Sequence, residues 1–216
     1  MRYQLIVFDW DGTLLDSASA IAECIQLAAA DMSLPVPDRE RASHVIGLGL
    51  EDSLRHAVPT LAESGYGEFI EHYRKHFRVR EEAMRLFPGV PELLQELGGR
   101  GHRLAVATGK SRRGLDRAFA TTGLRPLFAA SRCGDETRPK PDPTMLRELL
   151  QELAVEARAA LMIGDTSHDL QMAANAGIDS VAVTCGAHGA DFLRSFSPRA
   201  CLPNVTQLPA WLLKNA

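Results

Sequence analysis

Paired cysteines, a long apolar run, an excess of one charge and internal repeats are all missing from this chain of 216 residues. The four cysteines, Cys24, Cys133, Cys185 and Cys201, are widely dispersed and no two stand in a Cys-x-x-Cys spacing. The absence of that spacing argues against a zinc knuckle or a redox pair of the usual type. They read instead as reduced thiols of a cytoplasmic protein, acting as small core residues. No run reaches the roughly 18 apolar residues of a membrane span. The apolar run Leu5-Ile6-Val7-Phe8 is stopped by Asp9 and is too short for a signal-peptide core. Lys plus Arg is 24 against 27 for Asp plus Glu, a net charge of −3. Nothing global therefore draws nucleic acid or an anionic membrane, and a site for an anionic ligand has to be built locally. Hydrophobic residues at 45% and charged residues at 24% exclude disorder and a simple coiled coil. The length leaves open one large domain or a core with a smaller companion.

What is present is a rhythm of short apolar runs rich in Val, Ile and Leu. They are Leu5-Ile6-Val7-Phe8, Leu104-Ala105-Val106-Ala107, Ala160-Leu161-Met162-Ile163 and Val181-Ala182-Val183, with a weaker one at Leu127-Phe128-Ala129-Ala130. Unbroken apolar character suits strands covered on both faces. Helical patterns fill the intervals at Val90 to Leu97, Arg113 to Thr121, Thr144 to Leu153 and Asp169 to Ala176, the last followed by Gly177 as C-cap. The alternation predicts an α/β fold with a doubly wound, mostly parallel sheet. Residues 16–82 break the rhythm and read as helix upon helix. Ile21, Cys24, Ile25, Leu27 and Ala28 make one stripe, Leu50, Leu54, Ala57 and Val58 another, and Tyr66 to Arg80 a third segment. The expectation is an α/β core of residues 1–15 and 83–216 with an inserted all-helical cap of residues 16–82. The crossings near Leu14 to Ser17 and Glu82 to Gly89 would form a hinge. The tail from Ser197 reads as a loop and a short helix.

Chemistry gathers at the predicted strand ends. Asp9 and Asp11, in Asp9-Trp10-Asp11-Gly12-Thr13, stand at i and i+2 and leave the strand on one side. Paired carboxylates need a cation between them or a proton on one. Both serve phosphoryl transfer: Mg²⁺ is held by carboxylates and phosphate oxygens, and a protonated carboxyl can give its proton to a leaving alcohol. Gly12 allows a close turn around a ligand. Thr108-Gly109 follows the second strand and can donate to a phosphate oxygen; the competing reading is a helix cap. Lys140, between Pro139 and Pro141, is a stiffened cation able to neutralise a carboxylate and a phosphate, or a solvated loop lysine. In Gly164-Asp165-Thr166-Ser167-His168-Asp169, Asp165 is the better metal ligand. Asp169 is a ligand, a support or a helix cap, and His168 reads as solvent-facing.

The joint order of these motifs resembles the haloacid dehalogenase superfamily of aspartate-nucleophile phosphotransferases over nearly the whole chain. The helical insertion looks like the type 1 cap of its phosphoglycolate phosphatase-like and β-phosphoglucomutase-like branch. The stretches Asp9 to Ser17, Gly134 to Pro143 and Gly164 to Ala176 look most like bacterial phosphoglycolate phosphatases. The resemblance implies a Rossmann-like core and a Mg²⁺-dependent phosphatase. It makes Asp9 the nucleophile and Asp11 the general acid and base, with Thr108 and Lys140 on the phosphoryl group. Asp9, the Asp11 carbonyl and Asp165 would hold the metal, with Asp169 as a further candidate. Gly12, Thr13, Gly109 and Gly47 are the expected substrate-binding positions. The implied partner is a small phosphorylated metabolite, phosphoglycolate being the default, for a monomer or homodimer that binds neither nucleic acid nor membrane. Asp11 argues against dehalogenation, because true dehalogenases lack an acid there and need no metal. Sugar-phosphate transfer of the β-phosphoglucomutase kind and a broad sugar or nucleotide phosphatase are the enzymatic alternatives. A receiver-like signalling domain fits poorly, since its phospho-acceptor follows the third strand and it has no large helical insertion. A catalytically silent interaction module is disfavoured because all the expected catalytic side chains are present.

Within the cap, the loop His44 to Leu50 with Gly47 and Gly49 is the segment expected to face the site. Arg55, Arg74 and Arg78 are candidates for a substrate carboxylate. The run His72-Tyr73-Arg74-Lys75-His76 reads as a solvated basic helix face.

Overall fold

The computed structural model describes residues 2–215. Six strands form one sheet in the order β3-β2-β1-β4-β5-β6, and every neighbouring pair is parallel. They are β1 (Leu5–Phe8), β2 (Arg103–Thr108), β3 (Ala130–Cys133), β4 (Ala160–Gly164), β5 (Asp179–Val183) and β6 (Ala200–Leu202). The helices are α1 (Ala18–Asp31), α2 (Arg39–His44), α3 (Leu50–Ala57), α4 (Tyr66–Glu81) and α5 (Val90–Gly99), then α6 (Arg112–Thr122), α7 (Thr144–Glu152), α8 (Ser167–Ala176), α9 (Ala190–Arg194) and α10 (Leu208–Asn215). Alternation along β1 sends Ile6 and Phe8 into the layer of α5, α6 and α10, and Leu5 and Val7 into the layer of α7 and α8. Both faces are thus covered, which is why the strands read as unbroken apolar runs. Among the described residues, no helix is long and apolar enough to cross a membrane.

Helices α1 to α4 gather around a hydrophobic cluster of their own that includes Ile25, Leu54, Phe69 and Phe77. The two chain segments joining this helical unit to the sheet lie side by side. Leu15 bridges to Asp11 on one side and to Leu86 on the other. The Asp16 amide donates to the Arg85 carbonyl at 2.9 Å, and the Phe87 amide to that of Leu14 at 2.9 Å.

Three expectations need correction. The third strand lies at Ala130–Cys133 rather than 127–130, because Pro126 starts a short 3-10 turn at Arg125–Leu127. Its outward residue Arg132 pairs with Glu148 and Glu152, which masks the strand's apolar pattern. The tail contains the edge strand β6, preceded by α9. The short α2 was not anticipated; Asp38 caps it by accepting from the Arg41 amide.

Candidate active site

The chain runs from β1 to β2 and β3 on one side of the sheet and then returns to β4 on the other side of β1. The crevice between the carboxyl ends of β1 and β4 is therefore the topological switch point, where open α/β sheets bind ligands. Asp9 leaves β1 there, its amide bonded to the Ile163 carbonyl at 2.9 Å, and Asp165 leaves β4 beside it. Trp10, between the two acidic residues, is buried edge-on against Phe119 at 5.2 Å, so its burial fixes which way Asp9 and Asp11 face. Gly12 has φ +82°, and a Cβ there would fall 2.2 Å from Asp165 Oδ2. Only glycine permits both that turn and that approach.

Lys140 is completely buried. Its ammonium donates to Asp9 Oδ1 at 2.8 Å and Asp169 Oδ1 at 2.6 Å. The other oxygen of Asp169 accepts from the Thr166 amide at 3.1 Å and the Thr166 hydroxyl at 2.7 Å. Asp169 thus joins Thr166 in a capping box at the start of α8 while also holding Lys140. Asp165 Oδ1 accepts from Thr13 Oγ1 at 2.6 Å, and its Oδ2 from the Ala187 amide at 2.8 Å. Among the described residues, Asp9 Oδ2 is buried with no hydrogen-bond partner.

The electrostatics follow from this crowding. Burial pushes the Asp9 carboxyl up to about 7; Lys140 opposes the shift, and the charges of Asp169 and Asp11 add to it. Asp165 is held well above the usual range by burial and then by Asp9 and Asp169. Burial alone would pull Lys140 down, yet Asp169 and Asp9 outweigh it and hold its ammonium above the ordinary value. Asp9, Asp165 and Asp169 each place a carboxylate oxygen within 4.8 Å of the others, against the single ammonium of Lys140. An unpartnered buried oxygen beside an excess of oxygen ligands fits a hard divalent cation such as Mg²⁺.

The acid expected at Asp11 has a partner that the motif reading missed. Lys110 donates to Asp11 Oδ1 and Oδ2 at 3.0 and 2.9 Å, and the Ser17 hydroxyl donates to Oδ1 at 2.7 Å. Lys110 Nζ also sits 4.9 Å from the Phe77 ring centroid, which brings α4 directly over the pair. The signal available was a lysine two residues after the strand-end Thr108. Thr108 is buried and caps nothing; its hydroxyl accepts from the Lys110 amide at 3.2 Å, and Ser111 caps α6.

The loop expected to face the site does so. Gly47 has φ +92°, with the position of an added Cβ 3.2 Å from Thr166 Oγ1. A Cβ on Gly109 would fall 2.6 Å from the carbonyl oxygens of both Gly47 and Leu48. His168 is only partly exposed, and its Nε2 reaches the His44 carbonyl at 2.8 Å. That carbonyl also accepts from His188 Nε2 at 3.1 Å, and the His44 and His188 rings stack at 4.9 Å. His188 Nδ1 accepts from the Ser167 amide, so its imidazole is the neutral Nε2–H tautomer. Burial pulls it down to about 4, against the opposing bond to His44.

A cavity of about 730 Å³ opens between this constellation and the helical unit, reaching Asp9, Asp11, Thr108 and Lys110. Arg74 and Arg78 line it, while Arg55 does not and pairs with Asp52. Lys75 is exposed on α4. The run around it is only partly a solvated face, because His72 and His76 both bond Asp31 and Tyr73 turns into the cavity.

A family model described as haloacid dehalogenase-like hydrolase matches residues 6–183. A 5'-nucleotidase from Pseudomonas aeruginosa is 36% identical over 203 residues, covering 92% of this chain and 90% of the relative. A phosphoglycolate phosphatase from Aliivibrio fischeri is 33% identical over 192 residues, with 85% of each chain covered. The solved structure of a haloacid dehalogenase-like family hydrolase from Streptococcus pneumoniae has the same fold, with a TM-score of 0.83 at 24% identity over 97% of this chain and 98% of that one.

Proposed function

Because the chain belongs to the haloacid dehalogenase-like hydrolase family, we propose that it hydrolyses a small phosphomonoester with Mg²⁺ through a phosphorylated Asp9. The observation that carries this reading is Asp9 itself. It is buried at the switch point, with one oxygen fixed by Lys140 and the other unpartnered.

Asp9 would attack phosphorus, forming an Asp9 O–P bond as the bond to the leaving oxygen breaks. Asp11 would protonate that oxygen. It would then take a proton from the water that cleaves the aspartyl phosphate, releasing phosphate and restoring both carboxyls. Both Asp11 oxygens accept from Lys110, so proton delivery requires that contact to open as substrate enters. Thr108 supplies a hydroxyl to a phosphoryl oxygen. Lys140 keeps Asp9 aligned and offsets charge on the transferring group. Gly12 and Gly109 let the chain approach the ligand, while Thr13 acts by orienting Asp165. The residues that would hold Mg²⁺ are Asp9, Asp165, the Asp11 carbonyl and, directly or through Lys140, Asp169. When bound, the ion neutralises phosphoryl charge. The helical unit, residues 16–82 by our reading, would close over the site as a cap and exclude water. Relatives named for phosphoglycolate and for nucleotides both support a phosphomonoester substrate.

The test is phosphate release from p-nitrophenyl phosphate with Mg²⁺ and with chelator, in wild type and Asp9→Asn, with an acid quench to trap phosphorylated Asp9. Metal-dependent release that disappears in Asp9→Asn, with label on Asp9, is the expected result. Equal rates in the two proteins would refute the mechanism.

A further inference from the structure

Resting on the phosphatase reading, we infer that His188 and His168 are positioning residues for the reaction. Together they fasten the helical unit to the core through one backbone carbonyl, that of His44, and so hold the loop His44 to Leu50 over the phosphate end of the cavity.

The first observation is the state of that carbonyl. His44 is the last residue of α2, and the final carbonyls of a helix have no partner inside it. The adjacent Ser43 and Val45 carbonyls are taken by the Ile46 amide at 3.1 Å and the Leu48 amide at 3.3 Å. No backbone amide among the described residues takes the His44 carbonyl. Its donors come from the core instead, His168 Nε2–H at 2.8 Å and His188 Nε2–H at 3.1 Å. A carbonyl oxygen has two lone pairs, so both bonds can be held at once.

The second observation is how His188 is aimed. On its other side the ring accepts from the Ser167 amide at 2.9 Å, an N–H left over in the first turn of α8. The His188 amide itself donates to the Asp165 carbonyl at 3.3 Å. The buried imidazole therefore joins two helix ends, α8 in the core and α2 in the helical unit, with the His44 ring stacked on it at 4.9 Å.

The third observation is how little else joins the two parts. Away from the linking segments, the hydrogen bonds between residues 16–82 and the core among the described residues are these two and the Arg117–Glu81 pair at 3.3 and 3.4 Å. Glu81 ends α4, next to the second linking segment. The histidines are thus the fastening at the loop itself. Just beyond His44, the loop brings the Gly47 and Leu48 carbonyls against Gly109 and lays Gly49 on Pro139. Released from the histidines, it would lose that registration.

The test compares wild type, His188→Asn, His188→Gln and His168→Ala. Asparagine keeps an acceptor for the Ser167 amide but is too short to reach His44, whereas glutamine places an N–H where Nε2 stands. For p-nitrophenyl phosphate with Mg²⁺, kcat/KM should fall about three- to tenfold in His188→Asn and in His168→Ala, the range of one neutral hydrogen bond, and His188→Gln should restore most of it. The Ile46 and Leu48 amides should exchange with solvent faster by about the same factor in the two impaired variants, while the Val58 amide, bonded to the Leu54 carbonyl inside the helical unit, stays unchanged. Wild-type turnover and exchange in His188→Asn, or His188→Gln no better than His188→Asn, would overturn the inference and leave the phosphatase standing. If His188→Asn does not fold, His168→Ala decides, and unchanged turnover and exchange in it overturn the inference. No phosphate release by wild type would refute the phosphatase reading, and amide exchange alone would then decide whether the fastening exists.

Discussion

Replacing Gly109 by alanine separates closure of the active site from stability of the fold. The added Cβ would lie 2.6 Å from the carbonyl oxygens of Gly47 and Leu48, where ordinary contact begins at 3.4 Å. Both obstacles are backbone atoms, so no rotamer change relieves them. The helical unit must stand back by 3.4 − 2.6 = 0.8 Å at that point. Gly109 lies outside the left-handed region, so alanine costs nothing in backbone conformation. If the linking segments bend, the open protein accommodates the methyl group freely and only the closed form suffers. A displacement of about 1 Å costs on the order of 10²-fold when reacting groups are misplaced. We therefore expect kcat/KM for phosphate release to fall by about 30- to 100-fold. The melting temperature should stay within about 2 °C of wild type, as for a substitution that strains no core contact. Steady-state kinetics and thermal melts measure both. The control is Gly98→Ala in α5, where a Cβ meets nothing within 4 Å. It should add about 0.5–1 kcal/mol of stability and leave turnover unchanged. Unchanged activity in Gly109→Ala would refute the claim that this contact belongs to the working form. A melting temperature lower by about 10 °C would show instead that the contact is an obligatory part of the core.

Two further outcomes follow from the buried charges. Mg²⁺ at about 100 times its Kd should stabilise the protein by about 2.7 kcal/mol, a rise of roughly 5–10 °C. Asp165→Asn should remove most of that rise without lowering the melting point of the metal-free protein, since it deletes one of the crowded carboxylates. No Mg²⁺-dependent shift in wild type would sink the assignment of these carboxylates to a metal. His188, held down at about 4 by burial, takes up its proton in the unfolded chain near 6.5 but not in the folded one. Its contribution is thus complete above about pH 6.5 and is lost as pH falls through 4, by about 3 kcal/mol in all. Asp9, raised to about 7, acts in the opposite sense over the same window. The informative quantity is therefore the difference in chemical-denaturation stability between wild type and His188→Gln. A difference that does not change between pH 7 and pH 4.5 would refute the assignment.

Much of the sheet was legible because its strands are buried on both faces, so apolar runs and strands coincide. The run at β1 shows it: Leu5–Phe8 is buried throughout. The failures occur where that coincidence breaks. β3 carries Ser131 and Arg132, and Arg132 is satisfied by carboxylates from α7. β6 has three residues and only one paired neighbour. Asp9, Lys140 and Asp165, which the structure brings together, were legible through the joint order of their motifs along the chain rather than from any one of them. Lys110, Ser17 and Tyr73 were not. The importance of Lys110 depends on Asp11, 99 positions away, and Tyr73 matters because of which side of α4 meets the cavity. The same holds for His168, whose partner is a backbone carbonyl of the helical unit. Local pattern carries the elements and their strand-end chemistry. It does not carry pairings that exist only once two parts of the chain are laid face to face.

The paired linkers have a mechanical consequence. Leu15 is bonded on one side to the catalytic turn and on the other to the returning chain, with the Asp16 and Phe87 amides lacing the same two segments together. Two ropes would let the helical unit twist, slide and tilt independently. Two segments sewn edge to edge make a strap, which bends readily across its thin direction and resists shear within its plane. Were the unit above to move as proposed, such a strap would confine it to one coordinate and return it to the same registration. The inner stitch of that strap is the turn that carries Asp11, so bending of the strap would pull directly on the residue proposed as general acid.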